Sequence, residues 1–341
     1  MIRVGICGVG FMGMTHYHAY QKVRGAKVVA LCEKDQARLN GDWRSIKGNF
    51  GPRGTVVDVS HLARYENVED LLKDTNVDMV DICLPPSLHA QVAIAALKAG
   101  KHVLCEKPIA LRLADARRMV QTAKQVGKML MIAHVLPFVP EYTFAYKAAT
   151  SGQFGRLRGG HFKRVISDPL WLRDFYDPNG CGGPMIDLHI HDAHFIRLLF
   201  GMPKAVQSVG RMRGEVAEYF TTQFLFDDPA LVVTATSGVI YQQGRPFTHG
   251  YEIHFEKATI VFDSGDGMPL TVYDEKGKVR RPKLGKFDMT DAFPIELSEA
   301  IRAIQTGTPS ALLDGQLACD ALHLGERQTQ SIKAGGKRVK V

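Results

Sequence analysis

The stretch Gly8-Val9-Gly10-Phe11-Met12-Gly13 constrains this chain more than any other. It follows an apolar run at residues 3–8 and opens a helical pattern that continues through Tyr20. Glycines at these spacings suit a strand–turn–helix. The first permits the tight turn, the second lets the backbone approach a pyrophosphate, and the third lets helix and strand pack closely. The free N–H groups at the start of the helix would face the phosphates. Such a string is weak by itself; its place at the head of an alternating series gives it force. Apolar runs at 27–32, 78–84, 102–105 and 129–133 alternate with helical patterns at 91–99 and 114–126, which Gly100 and Gly127 close. Continuously apolar strands separated by helices predict a doubly wound parallel sheet covered on both faces, with right-handed crossovers.

Beyond residue 136 the rhythm changes. Helical patterns occupy 141–151 and 185–199, and alternating segments appear at 157–165, 205–212, 219–226, 231–239, 251–255, 258–262 and 270–274. Turn residues, among them Asp227-Asp228-Pro229 and Gly265-Asp266-Gly267, separate the later segments. This pattern predicts a large, mostly antiparallel open sheet. Two further helices are expected at 291–306 and 317–333. A chain of 341 residues is too long for one small core, so we expect an α/β protein of two domains: a dinucleotide-binding domain at 1–135 and an α+β domain at 136–341.

The bulk numbers exclude several classes. Forty-five per cent hydrophobic and 23% charged residues are those of a globular protein, not a disordered one. No apolar run reaches the ~20 residues needed to cross a bilayer. Met1-Ile2-Arg3-Val4 runs straight into the first strand with no signal-peptide pattern, so a cytoplasmic address is expected. The net charge of +8 is dispersed rather than gathered on a tract, which argues against a nucleic-acid partner. The six cysteines show no CxxC and no zinc spacing and read as small buried thiols.

The second strand ends at Cys32-Glu33. An acidic side chain there accepts hydrogen bonds from the adenosine ribose hydroxyls and repels a 2′-phosphate, favouring NAD; Lys34 beside it keeps NADP open. The strand at 102–105 delivers Glu106-Lys107-Pro108 to the carboxyl edge of the sheet, where open α/β folds bind ligands. A lysine is more often a plain surface cation, but one placed there could hydrogen-bond a reacting hydroxyl and favour its alkoxide character. In Leu84-Pro85-Pro86-Ser87-Leu88-His89, His89 either lies beside the cofactor or caps the next helix. Downstream, Gly180-Cys181-Gly182-Gly183 enters a predicted helix with Asp187 and His191 four residues apart on one face. The carboxylate can orient the imidazole, which can take a proton near neutral pH, as dehydrogenation of an alcohol requires. Candidate substrate contacts, besides Lys107, Asp187 and His191, are His161, Trp171, Arg173 and Tyr176; Trp171 could stack on a sugar face and Arg173 could recognise an anion.

Taken together, GVGFMG, the stretch AALKAGKHVLCEKPIA at 95–110 and GGPMIDLHIHDAHFIRLLFG at 182–201 resemble the Gfo/Idh/MocA oxidoreductase family. The resemblance spans nearly the whole chain. It implies a Rossmann domain followed by an α/β domain whose open sheet commonly forms dimers or tetramers. It also implies hydride transfer between a sugar or polyol hydroxyl and NAD, with Lys107 contacting that hydroxyl, Asp187 binding substrate and His191 acting as acid/base. Cofactor contacts would fall on Gly8, Gly10, Phe11, Met12, Gly13, Glu33, Lys34, Pro85, Pro86, His89, Glu106 and Lys107. The expectation is that Lys107 and the Asp187–His191 pair converge on one carbinol. Two departures stand out: Leu84-Pro85-Pro86 replaces a common Thr-Pro-Asn, and His194 stands where an aspartate is frequent.

That histidine raises an alternative. Asp187, His191 and His194 have plausible metal-ligand spacing, and the family includes enzymes that use bound NAD transiently in elimination or hydrolysis, so a metal-assisted sugar lyase or hydrolase is the rival reading. A non-catalytic NAD-sensing regulator is a third; it leaves Lys107, Asp187 and His191 unexplained.

Overall fold

The structure, a computed structural model, describes residues 1–341 except Asp266. The expected Gly265-Asp266-Gly267 turn includes that residue and lies outside the described residues. The first half runs β1 (Ile2–Cys7), α1 (Phe11–Tyr20), β2 (Ala26–Cys32), α2 (Gln36–Leu39), β3 (Ala63–Tyr65), α3 (Val68–Lys73), β4 (Met79–Ile82), α4 (Pro86–Lys98), β5 (His102–Glu106), α5 (Leu113–Val126) and β6 (Leu130–Ala133). Its six strands form one parallel sheet in the order β3-β2-β1-β4-β5-β6. The central strands are buried throughout, as their unbroken apolar runs require: Val4, Ile6, Val80, Ile82, Val103 and Leu104 are all closed to solvent. Strand order reverses between β1 and β4, so the loops after β1, β4 and β5 leave the same carboxyl edge at neighbouring positions.

The remainder contains α6 (Pro140–Ser151), β7 (Leu157–Ser167), a π-turn (Pro184–Leu188), α7 (Ile190–Phe200), β8 (Ala205–Arg213), β9 (Val216–Leu225), β10 (Val232–Ile240), β11 (Thr248–Phe255), β12 (Ala258–Asp263), β13 (Met268–Asp274), β14 (Val279–Arg280), α8 (Ala292–Thr306), α9 (Gly315–Lys333) and β15 (Val339–Lys340). A nine-stranded sheet takes the order β14-β13-β12-β11-β7-β10-β9-β8-β15, antiparallel except where β7 meets β10. One face packs on α7: Phe162 meets Phe195 and Arg164 grips Asp192. The alternate residue His161 points to the other face, where it bonds Thr234.

Two compact units result, Met1–Phe138 with Phe287–Cys319, and Val139–Lys286 with Asp320–Val341. This departs from a single cut at 135/136, because the apolar stripe of α8 belongs to the first unit. Phe293 stacks on Phe50 at 5.6 Å and lies 5.9 Å from the His16 ring, and Leu313 accepts a bond from Ile132 N–H. Pairings of this sequence separation leave no local pattern to read. Among the described residues, no helix is long and apolar enough to cross a membrane.

Candidate active site

In the first unit the site begins with the glycine turn. Gly8 has φ +95°, and a Cβ there would lie 2.7 Å from the Cys83 carbonyl oxygen. A Cβ on Gly13 would fall inside 3.0 Å of the Gly8 carbonyl oxygen. The chain itself therefore demands glycine at both positions. Gly10 is different: its φ is −90°, which any residue adopts, and a Cβ there would meet nothing within 4 Å. The space above Gly10 is a cradle the chain does not fill, at the start of a helix with no side-chain cap and no acidic residue in its first turn. That arrangement fits the pyrophosphate of a dinucleotide.

Glu33, half-buried at the end of β2, braces the turn. Its Oε2 accepts the Val9 N–H at 2.7 Å and its Oε1 accepts the Asp35 N–H at 3.0 Å. Lys34 is exposed next to it. Phe11 and Met12 are half-buried, with the Phe11 ring edge-on to Phe50 at 4.7 Å. Pro85 and Pro86 open α4, where a missing N–H costs nothing. His89 requires a correction to the expectation that it touches cofactor. It is wholly buried, its Nδ1 faces the Pro108 carbonyl and its Nε2 the Leu84 carbonyl, each at 2.8 Å. Burial pulls its pKa down against the raising effect of those two carbonyls. Here it acts as a latch between the loop after β4 and the turn after β5.

That second turn carries Glu106, Lys107 and Pro108, with a cis Lys107–Pro108 peptide. Lys107 is half-buried. Glu106 is buried, and its Oε2 accepts the Lys107 backbone N–H at 3.1 Å. Beneath it lies a cluster that sequence reasoning missed: His16 on α1, Asp81 on β4 and Glu296 on α8, all closed to solvent. Asp81 was visible in principle, as a lone carboxylate within an otherwise apolar buried strand.

In the second unit the glycine-rich loop enters the π-turn, not an α-helix. Gly182 and Gly183 have φ of +77° and +70°, and the His189 N–H bonds the Pro184 carbonyl five residues back. Asp187 and His191 therefore do not share one face of an unbroken α-helix as expected: Asp187 sits in the π-turn, His191 in the first turn of α7. Both are half-buried. One residue on lies a buried anchor. Asp192 and Arg164 are both buried, joined by two hydrogen bonds of 2.8 and 3.0 Å. His189 is buried against Phe220, and burial with the Arg164 charge pushes its pKa down to about 3.

The remaining candidates scatter. His161 sits on the sheet face away from α7. Trp171, at 63% exposure, and Arg173 are on the surface. Tyr176 is a loop anchor, bonded to Asp168 at 2.8 Å beneath the Arg213 guanidinium. Among the described residues, the one group whose ligand atoms gather closely enough for a metal is His16, Asp81 and Cys83, not Asp187, His191 and His194.

Residues 2–134 match an oxidoreductase family described as having an NAD-binding Rossmann fold, and residues 142–261 match the GFO/IDH/MocA C-terminal domain. The chain belongs to the Gfo/Idh/MocA family. This member is similar to the myo-inositol 2-dehydrogenase of Thermotoga maritima, 27% identical with 93% of each chain covered. It is also similar to the inositol 2-dehydrogenase of Rhizobium meliloti, 25% identical with 97% of each covered. A solved levoglucosan dehydrogenase in complex with NADH and levoglucosan shares the fold, with a TM-score of 0.82, 22% identity, and 100% of this chain and 99% of that one covered. The protein is thus an NAD-binding oxidoreductase with a parallel Rossmann sheet and a mostly antiparallel second sheet.

Proposed function

We propose that this family member oxidises a secondary hydroxyl of a sugar or polyol, as the names of its relatives suggest. The observation that carries the reading is the shared carboxyl edge: the turn cradling a pyrophosphate at Gly10 and the turn presenting Lys107 follow β1 and β5, on either side of β4. Bound NAD would supply the acceptor for the hydride leaving the carbinol carbon. Glu33 would take the ribose hydroxyls, and its charge would disfavour a 2′-phosphate. Lys107 would donate a hydrogen bond to the reacting hydroxyl oxygen and stabilise negative charge developing on it. His191 would take the hydroxyl proton, with Asp187 holding substrate and orienting the ring. The protein would work in the cytoplasm as a homodimer or homotetramer assembled through the nine-stranded sheet, with no nucleic-acid or membrane partner.

The test is a panel of sugars, polyols and sugar acids, myo-inositol and levoglucosan among them, offered with NAD and with NADP while absorbance of the reduced cofactor is followed. Turnover should appear with NAD. Lys107→Ala and His191→Ala should each lower it by ~10²-fold or more while NAD binding survives. Near-normal turnover by either variant removes that residue's role.

A further inference from the structure

The buried cluster under the Lys107 turn takes no part in the chemistry above, yet its geometry is directed. His16 projects from α1 with no solvent exposure. Its Nδ1 lies 2.9 Å from Asp81 Oδ2, and its Nε2 lies 3.2 Å from Glu106 Oε1, a charge contact not lined up as a hydrogen bond. A neutral imidazole has one N–H and one lone pair, and a lone pair turned on a carboxylate oxygen is repelled. Two carboxylates, one at each nitrogen, call for a ring carrying both protons. Glu106 is braced from two sides as a result, its Oε1 by the ring and its Oε2 by the N–H of Lys107 itself.

We propose that His16 is a positioning residue, a cationic clamp between Asp81 and Glu106 that holds the Glu106 carboxylate and so fixes how the turn presents Lys107. This rests on the reading that Lys107 handles the reacting hydroxyl. Every group facing the ring agrees with a charged state. Burial lowers the pKa of His16, but the Asp81 carboxylate leads the opposing effects, and the net position is well above the usual histidine range. Cys83, with Sγ 3.5 Å from Nδ1, is a thiol pushed up to about 12 by burial. Tyr20, on the same helix, is pushed up by burial and stays protonated. Glu296, from α8, is wholly buried with no partner on either oxygen; burial, then the neighbouring Glu106, raises it well above the carboxylate range, so it stays neutral. The ring lies between the Asp81 and Glu106 carboxylates. Because His16 can close a metal-ligand group with Asp81 and Cys83, the same atoms offer a different arrangement, in which Nδ1 would bind metal and carry no proton.

Two near-isosteric variants separate the clamp from a simple packing role. In His16→Asn the amide reaches the place of Nδ1 and keeps a partner for Asp81 only. In His16→Gln it reaches the place of Nε2 and keeps one for Glu106. The clamp predicts that His16→Asn lowers kcat by ~10- to 100-fold with KM and NADH affinity changed by less than about threefold, and that His16→Gln recovers most of that loss. It also predicts that 15N spectra of the NAD-bound wild type show both His16 nitrogens protonated at about pH 8. Equal losses in the two variants, tracking their melting temperatures, overturn the proposal in favour of packing. A single ring proton at that pH overturns it too, and a zinc-dependent spectrum would point to the metal arrangement. Should no sugar or polyol be turned over by the wild type, the sugar–polyol reading fails, while the proton count still decides the clamp.

Discussion

The three glycines of the first turn make separable demands, and Gly10→Ala isolates the one made by the cofactor. A methyl there meets no chain atom within 4 Å, and φ of −90° suits alanine. Two small effects on folding oppose each other. Restricting the unfolded chain stabilises by about 0.4–1 kcal/mol, while alanine is a poorer N-cap than glycine by a comparable amount. The melting temperature should therefore stay within about 3 °C of the wild type. The same methyl occupies the cradle, where a backbone N–H would donate to an ionised phosphate. Losing one such bond costs about 1.5–3 kcal/mol, or ~10- to 150-fold in affinity at 1.4 kcal/mol per tenfold. Gly13→Ala is the contrast: its methyl collides with the Gly8 carbonyl oxygen, so it should lose about 1–3 kcal/mol of stability as well as affinity. NADH fluorescence titration and thermal unfolding on the two variants decide the matter. If Gly10→Ala binds NADH as tightly as the wild type, the turn is not the pyrophosphate cradle. A fall in melting temperature matching that of Gly13→Ala would mean Gly10 serves folding instead.

Other expectations follow from single contacts. Glu33→Ala removes the acceptor for Val9 and Asp35 N–H together with the charge proposed to meet the ribose, and should weaken NADH binding by ~10-fold or more while the NADPH/NADH affinity ratio rises. Arg164→Met strands the buried Asp192 carboxylate and should cost about 3–5 kcal/mol in denaturant unfolding. Adding Asp192→Leu should recover most of it; if the double variant is as unstable as the single, the pair does more than neutralise itself. His189 and His249 are both pushed down to about 3, chiefly by burial, in the second unit. Below the usual 6.5 the unfolded rings take protons that the folded ones refuse. Stability should then fall as pH drops from about 6.5 toward 3, by up to about 1.4 kcal/mol per pH unit for each ring. His249→Asn, whose amide reaches the place of Nδ1, keeps a partner for the Tyr142 hydroxyl and should halve that slope; an unchanged slope contradicts the assignment.

What could be read ahead of the structure followed periodicity. Unbroken apolar runs such as MVDICL and the glycine stops at Gly100 and Gly127 are local statements of burial and chain reversal, and β4, α4 and α5 appear where those signals lie. The three-residue β3 is too short to show a period. The glycine-rich loop marked the entry to a helical segment, but no residue pattern distinguishes a π-turn from an α-turn; the nearby anchor, Arg164 to Asp192, joins a strand to a helix 28 positions on. His89 was ambiguous because its role depends on two carbonyls, and carbonyls have no sequence signature. His16 escaped notice for a related reason: its meaning comes from Asp81, Glu106 and Glu296, which lie on three separate elements far downstream in the chain. Tyr176 and Trp171 shared the same loop and polarity yet ended as anchor and surface residue, a distinction only packing makes.

The route of the chain has one further implication. Because residues 287–319 return to the first unit before α9 carries the backbone on into the second, the polypeptide passes between the units three times, after Phe138, Lys286 and Cys319. No single scission can release an autonomous nucleotide-binding half: a fragment ending at Phe138 would have His16 and Phe50 open on the side where α8 belongs, and Glu106 would lose the roof over its clamp. The first unit is completed only when residues 287–319 have been made and have come back.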